Sequence, residues 1–185
     1  MLEYRFDLKM LFLAMIVIFG LSACQTYPMG RYTSSVDNVL ALRKLSPKTV
    51  NVTNFSAATP DDKEILCVGR IYIRTQDGED FSKFVEKAFV SELKMAGIYS
   101  SDAKTTISGV LDHIDASYNQ GRWELKLTLK SSNGKTATYY EEYQYPRGTF
   151  DSACLIPAQS FVPAVQDLVN KIVTSKEFEE LLAVP

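Results

Sequence analysis

Arg122-Trp123-Glu124-Leu125-Lys126-Leu127-Thr128-Leu129-Lys130 is the stretch that decides the fold. Trp123, Leu125, Leu127 and Leu129 alternate with polar residues, and successive side chains of a strand point to opposite faces, so one face of this strand is buried and the other wet. On its C-terminal side Asn133-Gly134 is the favoured pair for a two-residue type I′ turn, and Lys135 to Tyr145 supplies a returning strand. On its N-terminal side Asn119-Gln120-Gly121 makes a second tight connection, back to a strand from Thr105 to about Tyr118. Three antiparallel strands in a meander follow.

Outward from the meander the periodicity changes. Phe81, Phe84, Val85, Ala88, Phe89 and Leu93 recur every three or four residues, with Asp77 or Asp80 placed to cap the start and Gly97 the end; this predicts a helix of about five turns whose aromatic stripe packs on a sheet. Before it, Thr49 to Thr53 alternates as a strand, and Ile65 to Thr75 is a second β-rich run interrupted at Gly69. After the meander, Pro146 and Gly148 close the sheet. A last long helix is predicted with Ser160 as N-cap, Pro163 in its first turn, and Phe161, Val165, Leu168, Val169 and Ile172 along one side. Ser175 caps a short final helix. The expected class is α+β: an antiparallel or mixed sheet that includes the three-stranded meander, packed on one face by two helices.

The chain's 185 residues carry 20 Lys plus Arg against 22 Asp plus Glu, a formal charge of −2, so a phosphate-binding face is not expected and nucleic acid is excluded as a partner. The single histidine, His113, sits in Asp112-His113-x-Asp115. His113 and Asp115 share a strand face, yet no nucleophile elbow accompanies them and one imidazole gives no zinc spacing, so no catalytic residue and no metal site are expected. Glu141 and Glu142 point to opposite faces and cannot flank one glycosidic bond, which leaves them as surface charge. Tyr139, Tyr143 and Tyr145 fall on one side of their strand and Tyr140 on the other. Arg122, Lys126, Lys130 and Tyr140 form the expected surface contact, on the polar face of the meander.

The first residues carry a different signal. Met10 to Leu21 is a run of twelve residues without a charge, too short to span a bilayer and right for the apolar core of a signal peptide, with Arg5 and Lys9 before it. Leu21-Ser22-Ala23-Cys24 resembles the lipobox of bacterial lipoproteins. That resemblance implies cleavage after Ala23 and acylation of Cys24, which would be the only attached group, and membrane attachment through the acyl chains. Gln25 is not the Asp of inner-membrane retention, which by the same resemblance favours the periplasmic face of the outer membrane in a Gram-negative bacterium. The expected organisation is a signal peptide at 1–23, a lipidated N-terminus and tether at 24–48, and one periplasmic α+β domain at 49–185. Two cysteines then remain for an oxidising compartment, and a Cys67–Cys154 disulfide is predicted.

The order of elements resembles the YajG-like lipoproteins and the related N-terminal domain of TolB. Shared are Leu-Ser-Ala-Cys, the amphipathic helix ending at Gly97, the strand Ile107-Ser108-Gly109-Val110-Leu111, the turn at Asn133-Gly134 and the closing helix from Ser160, across about residues 49 to 182. Cys67 and Cys154 are not part of the YajG pattern. The resemblance implies a non-enzymatic envelope protein, often a component or helper of a larger assembly. The expected function is a membrane-anchored periplasmic binding or scaffold module that positions a partner protein; an auxiliary lipoprotein of a lipid or glycan transport or synthesis machine is the alternative, and a hydrolase using His113 a third reading.

Overall fold

A computed structural model of the protein describes residues 26–59, 63–149 and 152–184. The signal segment, Cys24 and Asp151 lie outside the described residues. In chain order the elements are β1 (Thr26–Pro28), α1 (Val36–Arg43), β2 (Asn51–Ala57), β3 (Glu64–Val68), β4 (Ile71–Arg74), α2 (Phe81–Ala96), β5 (Thr106–Ser117), β6 (Arg122–Ser131), β7 (Thr136–Gln144), α3 (Leu155–Val173) and α4 (Lys176–Leu181). The class is α+β, as expected from the alternation of periods. The strands form two sheets: four strands in the order β2-β5-β6-β7, and three in the order β1-β4-β3.

The meander is antiparallel along β5, β6 and β7, and β2 joins β5 in parallel. Trp123, Leu125, Leu127 and Leu129 are completely buried, with α3 packed on β6 and α2 on the neighbouring β2 and β5. At the centre the ring of Phe161 lies 4.9 Å from Trp123, 5.2 Å from Phe84 and 5.6 Å from Phe81, and the Trp123 indole donates to the Pro157 carbonyl at 2.9 Å. Buried aromatic pairs of this kind are stronger than their area alone would give, and the buried indole N–H is satisfied. Gly109 has no side chain because Phe55 covers it: a Cβ there would meet the ring at 2.8 Å.

Four local expectations are corrected. The turn at Asn133-Gly134 is centred one residue early: Gly134 N donates to Ser131 O and Ser131 N to Lys135 O, with Gly134 at φ 85°, the pattern of a three-residue loop rather than a two-residue type I′ turn. Gly69 does not interrupt one strand but reverses the chain at φ 61°, making β3 and β4 an antiparallel hairpin. The last long helix begins at Leu155, not after Ser160, whose hydroxyl donates back to Ile156 O at 2.8 Å; Pro163 therefore lies inside the helix, where it cannot donate to the Gln159 carbonyl. Asp80 holds the N-cap position of α2 by backbone, but its carboxylate makes no cap bond and sits 4.0 Å from Lys63 Nζ.

The predicted tether is the largest correction. From Thr26 onward the chain is built into the fold: β1 pairs in parallel with β4, Met29 is 2% exposed, and α1 packs on α2 and α3 with Asn38, Val39 and Leu42 buried. Val36 and Leu40 of the same helix face outward. The final helix keeps its predicted cap: Ser175 Oγ accepts from Phe178 N at 3.1 Å, and Phe178, Leu181 and Leu182 are buried.

Candidate functional site

The outer face of the four-stranded sheet carries the predicted surface residues. Its register orders them into transverse rows: Ser117, Arg122 and Gln144; Asp115, Glu124 and Glu142; His113, Lys126 and Tyr140; Val110, Thr128 and Thr138; Ser108, Lys130 and Thr136. An extra residue at Asp112 breaks the β5 register, so Asp112 and His113 both reach the outer face and the alternation restarts beyond them.

Lys126 and Tyr140 are direct cross-strand neighbours, and Tyr140 is 47% exposed. Arg122 and Lys130 do not converge on them. Each lies four residues from Lys126 along β6, about 13 Å. Arg122 is held by carboxylates, donating from Nε to Glu124 at 2.6 Å with Glu142 at 3.8 Å. The four residues of the expected contact share the outer face, with Arg122 lying across an acidic row from the other three. The row Asp115–Glu124–Glu142 sets three acids side by side, an arrangement that destabilises a sheet unless cations flank it. Arg122 supplies one on one side, and on the other His113 Nε2 lies 3.7 Å from Glu124. Lys126 and Lys130 make no ion pair among the described residues and occupy the opposite end with Val110 and the hydroxyls of Thr128 and Thr138, which bond to each other at 2.8 Å. Thr128 also donates to Asp112 at 2.6 Å.

The remaining chemical candidates separate. His113 has a half-exposed side chain paired only with Glu124. Glu141 is corrected from surface charge to a buried group, 6% exposed on the inner face, with Lys171 Nζ 2.8 Å away. Tyr139 and Tyr145 are buried on that same face. Cys67 and Cys154 are joined as a disulfide with Cα atoms 5.9 Å apart, tying the β3–β4 hairpin to the N-terminus of α3. Among the described residues no group of three or more His, Cys, Asp or Glu side chains could hold a metal ion, and no helix is long and apolar enough to cross a membrane.

A second cluster escaped the sequence reading. Glu92 is completely buried on α2; its Oε1 accepts from Tyr32 OH at 2.5 Å, Ser35 N at 2.8 Å and Asn38 Nδ2 at 3.4 Å, while Oε2 has no partner. Asn38 also donates to Gln166 O at 3.0 Å and accepts from Asn170 at 2.9 Å. The knot binds the start of α1 to α2 and α3. The signal was an acid on the aromatic stripe of α2, in step with Phe81, Val85 and Ala88.

Burial, reinforced by the Glu92 carboxylate, pushes the Tyr32 phenol far above its ordinary value of 10.0, and burial raises Tyr145 to about 12. The folded chain therefore keeps protons that the unfolded chain releases at lower pH. Their contribution to stability is whole below pH 10 and falls as pH rises above it. Urea midpoints measured between pH 8 and 11 are expected to drop above pH 10, and less steeply in Tyr32→Phe; parallel profiles in the two proteins would refute the assignment. Neither a protein-family model nor a curated protein matches the sequence.

Proposed function

We propose that this protein is a lipoprotein of the Gram-negative envelope, held by acyl chains on Cys24 to the periplasmic face of the outer membrane, where its open sheet face binds a partner protein without making or breaking covalent bonds. The Cys67–Cys154 disulfide is the observation that carries the reading. Such a bond persists in the periplasm and not in a reducing cytoplasm, so it agrees with export through the Met10–Leu21 segment and with Leu21-Ser22-Ala23-Cys24. The side chains that invited catalytic readings have structural employment: His113 packs beside Glu124, and Glu141 is matched by Lys171. Lys126, Lys130, Tyr140 and Val110 are exposed on one surface and offer a partner cations, an aromatic ring and an apolar side chain.

Palmitate labelling of the wild type and of Cys24→Ser in a Gram-negative host tests the anchor. Label in the outer-membrane fraction for the wild type alone is expected, and an unlabelled wild type with its first residues intact would overturn the reading. For the face, a photo-crosslinker at Tyr140 is expected to give a defined adduct that Lys126→Glu abolishes. An adduct indifferent to Lys126→Glu would remove this face from the proposal. His113→Ala is expected to leave it unchanged.

A further inference from the structure

The small sheet begins two residues after the proposed acylation site in the sequence. Cys24 precedes Thr26 by two residues, so their Cα atoms are at most about 7 Å apart. Thr26 pairs with Tyr72 and Tyr72 with Leu66, which makes Thr26, Tyr72 and Leu66 one transverse row. The neighbouring row, Tyr27, Ile73 and Ile65, packs into the core, with Ile73 fully buried. Side chains alternate along strands, so the Thr26 row points away from the core; Leu66 is 54% exposed and Tyr72 half-buried. Leu66 lies two strand spacings, about 10 Å, from Thr26.

Two exposed arginines adjoin this row. Arg70 is in the hairpin turn and Arg74 follows on the outward side of β4; neither makes an ion pair among the described residues, although Glu64 is the register partner of Arg74. An apolar side chain, a tyrosine and unpaired guanidinium groups on one surface match the interface of a phospholipid bilayer, where aromatic rings sit at headgroup level and cations meet phosphate.

We propose that the outward face of the three-stranded sheet rests on the phospholipid surface that receives the Cys24 acyl chains, with Leu66 and Tyr72 at headgroup level and Arg70 and Arg74 against lipid phosphates. The proposal rests on the lipoprotein reading above. Because no slack separates Cys24 from β1, the domain cannot stand far from its anchor. The Cys67–Cys154 bond joins this sheet to the N-terminus of α3, so contact at the small sheet sets the orientation of the helices and of the large sheet.

The test uses the full lipidated protein, purified from the host envelope and returned to phosphatidylethanolamine–phosphatidylglycerol vesicles with bromine on the acyl chains near the headgroups. Native Trp123 is completely buried and gives a common background. Tryptophan is placed at the exposed positions 66, as Leu66→Trp, and 95, as Met95→Trp at the far end of α2, with Tyr72→Trp as a second reporter on the docking row. Leu66→Trp and Tyr72→Trp are expected to lose most of their added emission relative to unbrominated vesicles, and Met95→Trp to keep it. Adding Arg70→Glu with Arg74→Glu is expected to restore emission at position 66. Palmitate labelling of the same samples separates the failures: labelled protein with unquenched reporters at 66 and 72 overturns the docking face and spares the anchor, whereas unlabelled protein overturns both. Equal quenching at 66 and 95 also overturns the proposal.

Discussion

Replacing both Cys67 and Cys154 by Ala is expected to lower stability by up to about 4.5 kcal/mol, since the bond closes a separation of 87 residues and the lost restraint on the unfolded chain grows with loop length. In a chain of this size each kcal/mol moves Tm by about 2–4 °C, so a fall of about 10–15 °C is expected, with a matching fall in urea midpoint. The loss should be uneven. β1 has 3 residues, β3 has 5 and β4 has 4, and a sheet this small is marginal unless something holds it to a larger body. Here the holds are the buried Ile73 row and the disulfide. Amide exchange in β3 and β4 should therefore accelerate far more than exchange in β6, whose Leu face is completely buried and packs against α3. Reduction of the wild type by dithiothreitol should reproduce the variant. An unchanged Tm, or uniform acceleration across both sheets, would show that the bond does not carry the small sheet. The effect also bears on the proposed location: a chain retained in reducing cytosol would lose this hold on the small sheet.

Legibility in the sequence followed the range of the interactions. The meander could be read because alternation in Trp123 to Leu129 and the turn residues on either side are local signals, and each is enforced by burial of one face. The long helix α2 was readable for the same reason, down to its end, where Gly97 at φ 77° lets Ile98 N reach Leu93 O. What depends on distant partners was not. β1 is too short to show a period, and it is a strand only because β4 lies beside it; the parallel pairing of β2 with β5 leaves no trace in either segment. Pro157 and Pro163 hid the first turns of α3, although Pro157 falls where its missing N–H costs little. Tyr140 and Lys126 were correctly placed together by strand arithmetic. The acids that divide that face were not foreseen, because Glu124 and Glu142 become neighbours of Asp115 only when the register is fixed.

The division of the outer face has a consequence for partners. A surface on which an acidic row lies beside two lysines without ion pairs presents both signs of charge in a fixed order, and a partner of complementary order is favoured in one orientation over the reverse. Selectivity of that kind suits a positioning role, in which the partner must be held one way round relative to the membrane. Screening by salt weakens such contacts beyond about 8–10 Å, so adduct formation at Tyr140 should decline as ionic strength rises.

Glu92→Ala and Glu92→Gln are expected to diverge by several kcal/mol. Alanine removes the acceptor of three groups at once, Tyr32 OH, Ser35 N and Asn38 Nδ2, in a site with no exposure. Each donor stranded in such a place costs about 1–3 kcal/mol, and the vacated volume adds to it, so a loss of about 3–6 kcal/mol is expected. Glutamine keeps the accepting oxygen and sets an amide where Oε2 has no partner. A neutral amide is cheaper to bury than a carboxylate, so the Gln variant should match or exceed the wild type. The damage from Ala has a location. Arg31, Arg43 and Lys44 flank or end the segment that the knot fastens, and trypsin should cut there rapidly in Glu92→Ala while sparing the wild type and Glu92→Gln. If Gln and Ala destabilise alike, the charge rather than the accepting oxygen holds α1; if neither exposes Arg31 and Arg43, the apolar anchors Met29, Val39 and Leu42 suffice without the knot. The expected pattern, Ala cut and Gln resistant, would mean that the segment from Tyr32 to Asn38 is fixed to the helices by a buried acid.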